Sequence, residues 1–130
     1  MQYTTIFLLD DNDTTNFYNG DIIQEQYPSS QVLSFSHASG FIDHYVTHCA
    51  GRPEKVLLFL DINMPEKQGF EVIEELEEQL DDIDNLDILM LTSSNLKVDM
   101  EKATRFPNVF GYIEKPLTTQ KLHNAINGIF

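Results

Sequence analysis

The sequence predicts an α/β fold of the (βα)5 type, with helices wound over both faces of a five-stranded parallel sheet. Three observations point there. Short runs of Val, Ile, Leu and Phe recur along the chain, each too brief to be a helix. Their apolarity is continuous rather than alternating, as strands covered on both faces require. Between them, apolar residues return every three or four positions, the period of a helix packed on one side.

The elements follow in order. Residues 6–9 (Ile-Phe-Leu-Leu) form the first strand. Residues 14–27 form a helix whose apolar side is Tyr18, Ile22 and Ile23, weakened by Gly20. A less apolar run at 32–35 is the second strand. Ala38, Phe41, Ile42, Tyr45, Val46 and Cys49 make a regular amphipathic stripe. The third strand is residues 56–60, and Ile73, Leu76, Leu80 and Ile83 stripe the helix after it. The fourth strand is 88–91. Residues 95–105 make the poorest helix, with only Leu96, Met100 and Ala103 facing one way, so a short and loosely held element is expected. The fifth strand, 109–113, is broken by Gly111, and Leu122, Ala125, Ile126 and Ile129 stripe a last helix.

Composition narrows the function. A chain of 130 residues, 42% apolar, is one domain, expected to span 1–130 with no output domain. Eight Lys and Arg stand against 21 Asp and Glu, a net charge of −13. That excludes nucleic acid and anionic membrane as direct ligands, since phosphate backbones need a basic footprint. A single cysteine, Cys49, makes no intrachain disulfide. No apolar run approaches the ~20 residues of a membrane span, and the first residues lack the basic start of a signal peptide. A cytoplasmic domain is the expectation.

Right-handed crossovers bring the C-terminal ends of parallel strands to one edge, where ligands of such folds bind. The residues just past those ends are Asp10 and Asp11, then Asp61, then Thr92, then Lys115. Three carboxylates at close quarters repel one another. A hard divalent cation relieves this, and Mg²⁺ takes oxygen ligands and shares its shell with phosphate oxygens. Lys115 and Thr92 supply an ammonium and a hydroxyl suited to phosphoryl oxygens, and an Asp carboxylate can itself be the nucleophile.

With these residues in place, the chain resembles the receiver domain of two-component response regulators, the CheY-like fold. The resemblance rests on Asp10-Asp11, on Asp61-Ile62-Asn63-Met64-Pro65 with Gly69, on Leu91-Thr92-Ser93, and on residues 111–116, Gly-Tyr-Ile-Glu-Lys-Pro. It implies a strand order of 2-1-3-4-5 and a phosphoacceptor in Asp61, fed by a phosphohistidine of a histidine kinase or phosphotransfer protein. It implies Mg²⁺ held by Asp10, Asp11, Asp61 and the Asn63 carbonyl. Thr92 and Lys115 would bind phosphoryl oxygens, Thr92 and Tyr112 would form the switch, and Lys115–Pro116 would be cis. Ser94 falls where the family tunes dephosphorylation. The output would be a protein contact at the face of the fourth helix, fifth strand and fifth helix. On this reading the chain is a phosphoacceptor and not an enzyme, apart from its own phosphorylation and dephosphorylation.

Other readings compete. Asp and Asn after the first strand also cap helices. His44 and His48, four apart, can share a metal, but an exposed helix face explains them, and Cys49 reads as a buried small hydrophobe. The acidic stretch 71–87, nine carboxylates without a base, is a solvated helix face first. The same fold could serve as a constitutive, unphosphorylated interaction module. Asp11-Asn12-Asp13-Thr14-Thr15 also fits the signature of haloacid-dehalogenase-like phosphatases acting through Asp11, but that family needs a further acidic strand end and leaves Asp61 without a part.

Overall fold

A computed structural model describes residues 3–128. Ten elements alternate: β1 (Thr5–Leu9), α1 (Asp13–Gln26), β2 (Gln31–Phe35), α2 (Ala38–His48), β3 (Val56–Leu60), α3 (Gly69–Gln79), β4 (Leu86–Thr92), α4 (Lys97–Ala103), β5 (Val109–Glu114) and α5 (Thr119–Ile126). The strands are all parallel, in the expected order β2-β1-β3-β4-β5. Registers such as Leu9 opposite both Phe35 and Leu60 align the C-terminal ends of three strands.

Because side chains alternate across a strand, each strand feeds two cores. Phe7, Leu9, Leu58, Leu60, Ile88 and Met90 face α2, α3 and the Ala103 end of α4. Ile6, Leu8, Leu57, Phe59, Leu89 and Leu91 face α1 and α5 through Ile23, Leu122 and Ala125. β3 is buried at every residue, which is why its sequence carries no alternation. Among the described residues no helix is long and apolar enough to cross a membrane.

Three helices depart from the apolar pattern. α1 buries Asn16, Asn19 and Ile23, whereas Tyr18, expected on its packed side, is 63% exposed beside Phe17. The helix runs through Gly20, which faces Leu8. α3 stops at Gln79 because Leu80 turns extended, and the Asp82 carboxylate accepts from the Asp84 N–H, a local bond that competes with further helix. Ile83 therefore joins the core from a loop.

α4 is seven residues long, as short as expected, but Leu96 and Met100 are exposed and only Ala103 is buried. In α2, Cys49 is buried as expected at its C-terminal end, and His48 is exposed. His44 is half-buried rather than exposed, its ring against Phe7 and Phe35 at 5.6 Å each. Burial and the neighbouring His48 lower its pKa. Ile129 lies outside the described residues.

Candidate functional site

β1, β3, β4 and β5 deliver the residues that the sequence placed at the sheet edge. Oxygens of Asp10, Asp11 and Asp61 lie within 4.8 Å of one another. Asp10 and Asp61 are buried and Asp11 is exposed. The Lys115 ammonium reaches over from the end of β5, donating to the Asp10 carboxylate and, at 3.3 Å, to Asp61 Oδ2. Its N–H donates to the Thr92 carbonyl at 2.9 Å, and the peptide bond to Pro116 is cis. Thr92 is fully buried at the end of β4.

Each carboxylate is fixed from behind. Asp10 accepts at Oδ1 from the Asn12 N–H (2.9 Å), while Asn12 caps α1 through Thr15. The Asp61 N–H donates to the Leu9 carbonyl (3.1 Å), tying β3 to β1 at the site. Gly69 opens α3 directly beneath Asp61, and a Cβ there would stand 2.3 Å from the Asp61 carbonyl oxygen. The Gly69 N–H donates to the Ile62 carbonyl at 2.9 Å. Glycine is thus required at 69 by space, because the loop folds back onto the strand end.

The electrostatics are unbalanced. Three carboxylates against one ammonium leave two negative charges. Burial pushes the Asp61 carboxyl above the ordinary range; the Lys115 ammonium and the Thr92 hydroxyl pull it back, and Asp10 pushes it further up. Burial pulls the Lys115 ammonium down, but its bond to Asp10 and the charge of both carboxylates outweigh this and raise it. One lysine therefore does not neutralise the pocket. Asp61 Oδ1 is buried with no hydrogen-bond partner among the described residues, and an unpaired buried carboxylate oxygen is costly. All donors are hard oxygens. Charge, donor type and the unpartnered oxygen together fit a divalent cation such as Mg²⁺ better than a transition metal.

Asn63 is exposed at the mouth of the site. Tyr112 is half-buried on β5, and its hydroxyl donates to the Ser94 carbonyl at 2.9 Å. Ser94, expected as a small hydroxyl at the site, is instead engaged. Its hydroxyl donates to Asp99 Oδ2 in α4 (2.6 Å), and its N–H donates to Thr92 Oγ1 (3.2 Å). Asp99 escaped sequence reading, as did Asn16, whose amide meets the Asp10 carbonyl. For Asn16 the signal was present: Asn16, Asn19 and Ile23 fall at i, i+3 and i+7 of one helix face, but an apolar stripe was the only pattern sought.

Comparison with known proteins agrees with this geometry. The family model described as the response regulator receiver domain matches residues 6–127. Among solved structures, a two-component response regulator from Cytophaga hutchinsonii aligns with a TM-score of 0.83 and 29% identity, over 98% of this chain and 96% of that one. The chemotaxis protein CheY4 of Vibrio cholerae gives a TM-score of 0.76 and 16% identity, over 99% and 100% of the two chains. A chain of the CheX–CheY–BeF3–Mg²⁺ complex from Borrelia burgdorferi gives 0.77 and 17%, over 94% and 85%. The last two identities establish shared fold alone. A search of curated proteins finds no match. With the family model spanning nearly the whole chain, and with the strand order and acidic edge already described, the chain belongs to the response regulator receiver domain family.

Proposed function

We propose that this receiver domain accepts a phosphoryl group on Asp61 from a phosphohistidine of a histidine kinase or phosphotransfer protein. The observation that carries the reading is the convergence of Asp10, Asp11 and Asp61 within 4.8 Å, with an unpartnered Asp61 oxygen. Asp10, Asp11, Asp61 and the Asn63 carbonyl would hold Mg²⁺, which when bound supplies charge neutralisation for the transferring group. An Asp61 oxygen attacks phosphorus, the P–N bond to the donor imidazole breaks, and the imidazole leaves with that electron pair. Lys115 and Thr92 bind the phosphoryl oxygens. The chain acts as phosphoacceptor, with only its own phosphorylation and dephosphorylation to catalyse, in the cytoplasm.

Thr92, Ser94, Tyr112 and Asp99 support a route from the site to α4. Thr92 Oγ1 accepts from the Ser94 N–H, and Ser94 in turn holds both Tyr112 and Asp99. A Thr92 hydroxyl drawn toward a phosphoryl oxygen disturbs this junction and biases α4 and β5. A groove of about 560 Å³ beside Met100, Val109, Phe110 and Tyr112 gives a downstream protein an apolar seat on that face. The relative whose solved complex includes CheX, BeF3 and Mg²⁺ is consistent with such partners.

The test is incubation with Mg²⁺ and acetyl phosphate followed by intact-mass analysis, with Asp61→Asn alongside. One phosphoryl adduct, absent in the variant and in EDTA, is the expected result. A folded protein that takes no adduct would leave a constitutive interaction module of the same fold. Donor turnover lost on mutating Asp11 but kept in Asp61→Asn would favour the phosphatase chemistry.

A further inference from the structure

Asn16 is buried to 3% exposure on the sheet-facing side of α1. An asparagine there neither fills a core well nor favours a helix interior. Its side chain nevertheless has a definite task. Nδ2 donates to the Asp10 carbonyl at 2.9 Å and to the Phe35 carbonyl at 3.3 Å. The Phe35 carbonyl also accepts the Asp10 N–H at 3.1 Å. One amide thus clamps the end of β1 to the end of β2 at the residue where the chain leaves the sheet.

Every polar group of Asp10 is then accounted for. Its N–H is held by β2, its carbonyl by Asn16, Oδ1 by the Asn12 N–H, and Oδ2 by Lys115. Oδ1 and Oδ2 face the site, whereas the carbonyl faces the helix. Fixing the carbonyl fixes the rotation of the Asp10 peptide, and with it the aim of the carboxylate. The α1 backbone cannot do this: the Asn16 N–H is already spent on the Asn12 carbonyl within the helix. The two acceptors also fix which end of the amide is which, because Oδ1 facing two carbonyl oxygens would be repelled. Asn16 Oδ1 has no protein partner.

We infer that Asn16 is a positioning residue for the metal-binding carboxylate of Asp10. The inference rests on the metal reading above and adds to it a residue that touches neither metal nor phosphoryl group. Supports of this kind behind a ligand typically change metal affinity 10–100-fold when removed.

A matched control lies at the other edge of the sheet. Asn85, also buried, donates through Nδ2 to the Cys49 and Glu54 carbonyls and sits just before β4. It performs the same backbone clamping a strand's length from the site. Mg²⁺ affinity is measured by calorimetry on wild type, Asn16→Ala, Asn16→Asp and Asn85→Ala, at a temperature where circular dichroism shows each folded. Asn16→Ala is expected to weaken Mg²⁺ about 10-fold or more. Asn16→Asp keeps the size but loses the donor, so it should weaken Mg²⁺ as well even though it adds negative charge near the site. Asn85→Ala should melt earlier yet bind as wild type does. Asn16 variants that bind as wild type does, or an Asn85→Ala loss equal to theirs, would overturn the positioning role while leaving the metal site standing. A wild-type protein with no Mg²⁺ binding would instead bring down the metal reading, and this inference with it.

Discussion

Replacing Gly69 with alanine tests how the site is built, independently of any ligand. The added Cβ would stand 2.3 Å from the Asp61 carbonyl oxygen and 3.1 Å from both the Asp61 carbonyl carbon and Ile62 Cα. Ordinary contact begins near 3.4 Å, so the start of α3 must retreat from β3 by about 0.7–1.1 Å. All three obstacles are backbone, and no side chain can rotate away. Retreat also stretches the 2.9 Å bond from the Gly69 N–H to the Ile62 carbonyl. Overpacking of this kind costs about 1–3 kcal/mol and a weakened hydrogen bond about 1 kcal/mol more, against a gain of up to about 1 kcal/mol from alanine's helix propensity. The net is a loss of about 2 kcal/mol. An unfolding entropy of about 2.1 cal/mol/K per residue over 130 residues converts this to a fall in Tm of about 7 °C.

Gly20→Ala is the internal comparison. Its Cβ would meet Leu8 Cδ1 at 3.6 Å, an ordinary contact, in mid-helix. There the propensity gain of up to about 1 kcal/mol stands unopposed, and Tm should rise by about 2–4 °C. Thermal unfolding followed by circular dichroism reads both. A Gly69→Ala protein that melts within a degree of wild type would refute the close approach of α3 to Asp61. A Gly20→Ala protein that melts earlier would refute the packing assigned to α1.

Asp61→Asn should stabilise the metal-free fold at neutral pH. Burial raises the Asp61 carboxyl in the folded state, so its stability contribution is full below the ordinary carboxylate value and is lost as pH rises through the raised one. Melting in EDTA checks this, and a variant less stable than wild type at pH 7.5 would contradict it. Mg²⁺ at ten times its Kd should add about 1.4 kcal/mol to wild type, a rise of about 5 °C, and less to the variant. Alkaline unfolding should coincide with late phenol ionisation. Tyr3 and Tyr45 are pushed above the ordinary tyrosine value chiefly by burial, so the stability they confer is intact below pH ~10 and lost as pH rises beyond it. Phenolate absorbance that grew without loss of the circular dichroism signal would argue against their burial. Asp99→Ala removes the partner of the Ser94 hydroxyl. Hydrogen exchange should quicken in α4 and hardly at all in α3, and equal changes in both would deny Ser94 and Asp99 a local role.

The sheet was legible because burial on both faces writes itself as continuous apolar runs. The strands extend past those runs, to Thr5, Gln31 and Glu114, because ladder hydrogen bonds ignore side-chain polarity. α1 and α4 were legible as helices but not as packed surfaces. α1 buries two asparagines where an apolar stripe was sought, and α4 leaves Leu96, Val98 and Met100 exposed because seven residues reach the core only through Ala103. Asp10, Asp11, Asp61, Thr92 and Lys115 were legible because parallel topology places strand ends together whatever the details. Asn16 and Asp99 were not, since the groups they hold are a backbone carbonyl and a loop hydroxyl that only the folded chain brings near.

The charge of the whole chain and that of the pocket say different things about an anionic donor. A net −13 suggests that phosphorylated partners are repelled. Yet nine of the carboxylates lie in residues 71–87, on α3 and the loop beyond it. α3 starts at the site with Gly69 against Asp61 and then runs away from it at about 1.5 Å per residue. Its far end and the loop before β4 sit at the opposite edge, a strand's length of about 17 Å away. Screening at physiological salt acts over about 8 Å, so most of this surplus is invisible to a phosphoryl group at Asp61. What such a group meets is the pocket itself: three carboxylates, one ammonium and a cation to make up the difference. The acidic surface can then favour basic partners and solubility without slowing chemistry at the strand ends, and the selectivity for a divalent cation stays a property of Asp10, Asp11 and Asp61 and of the groups that aim them.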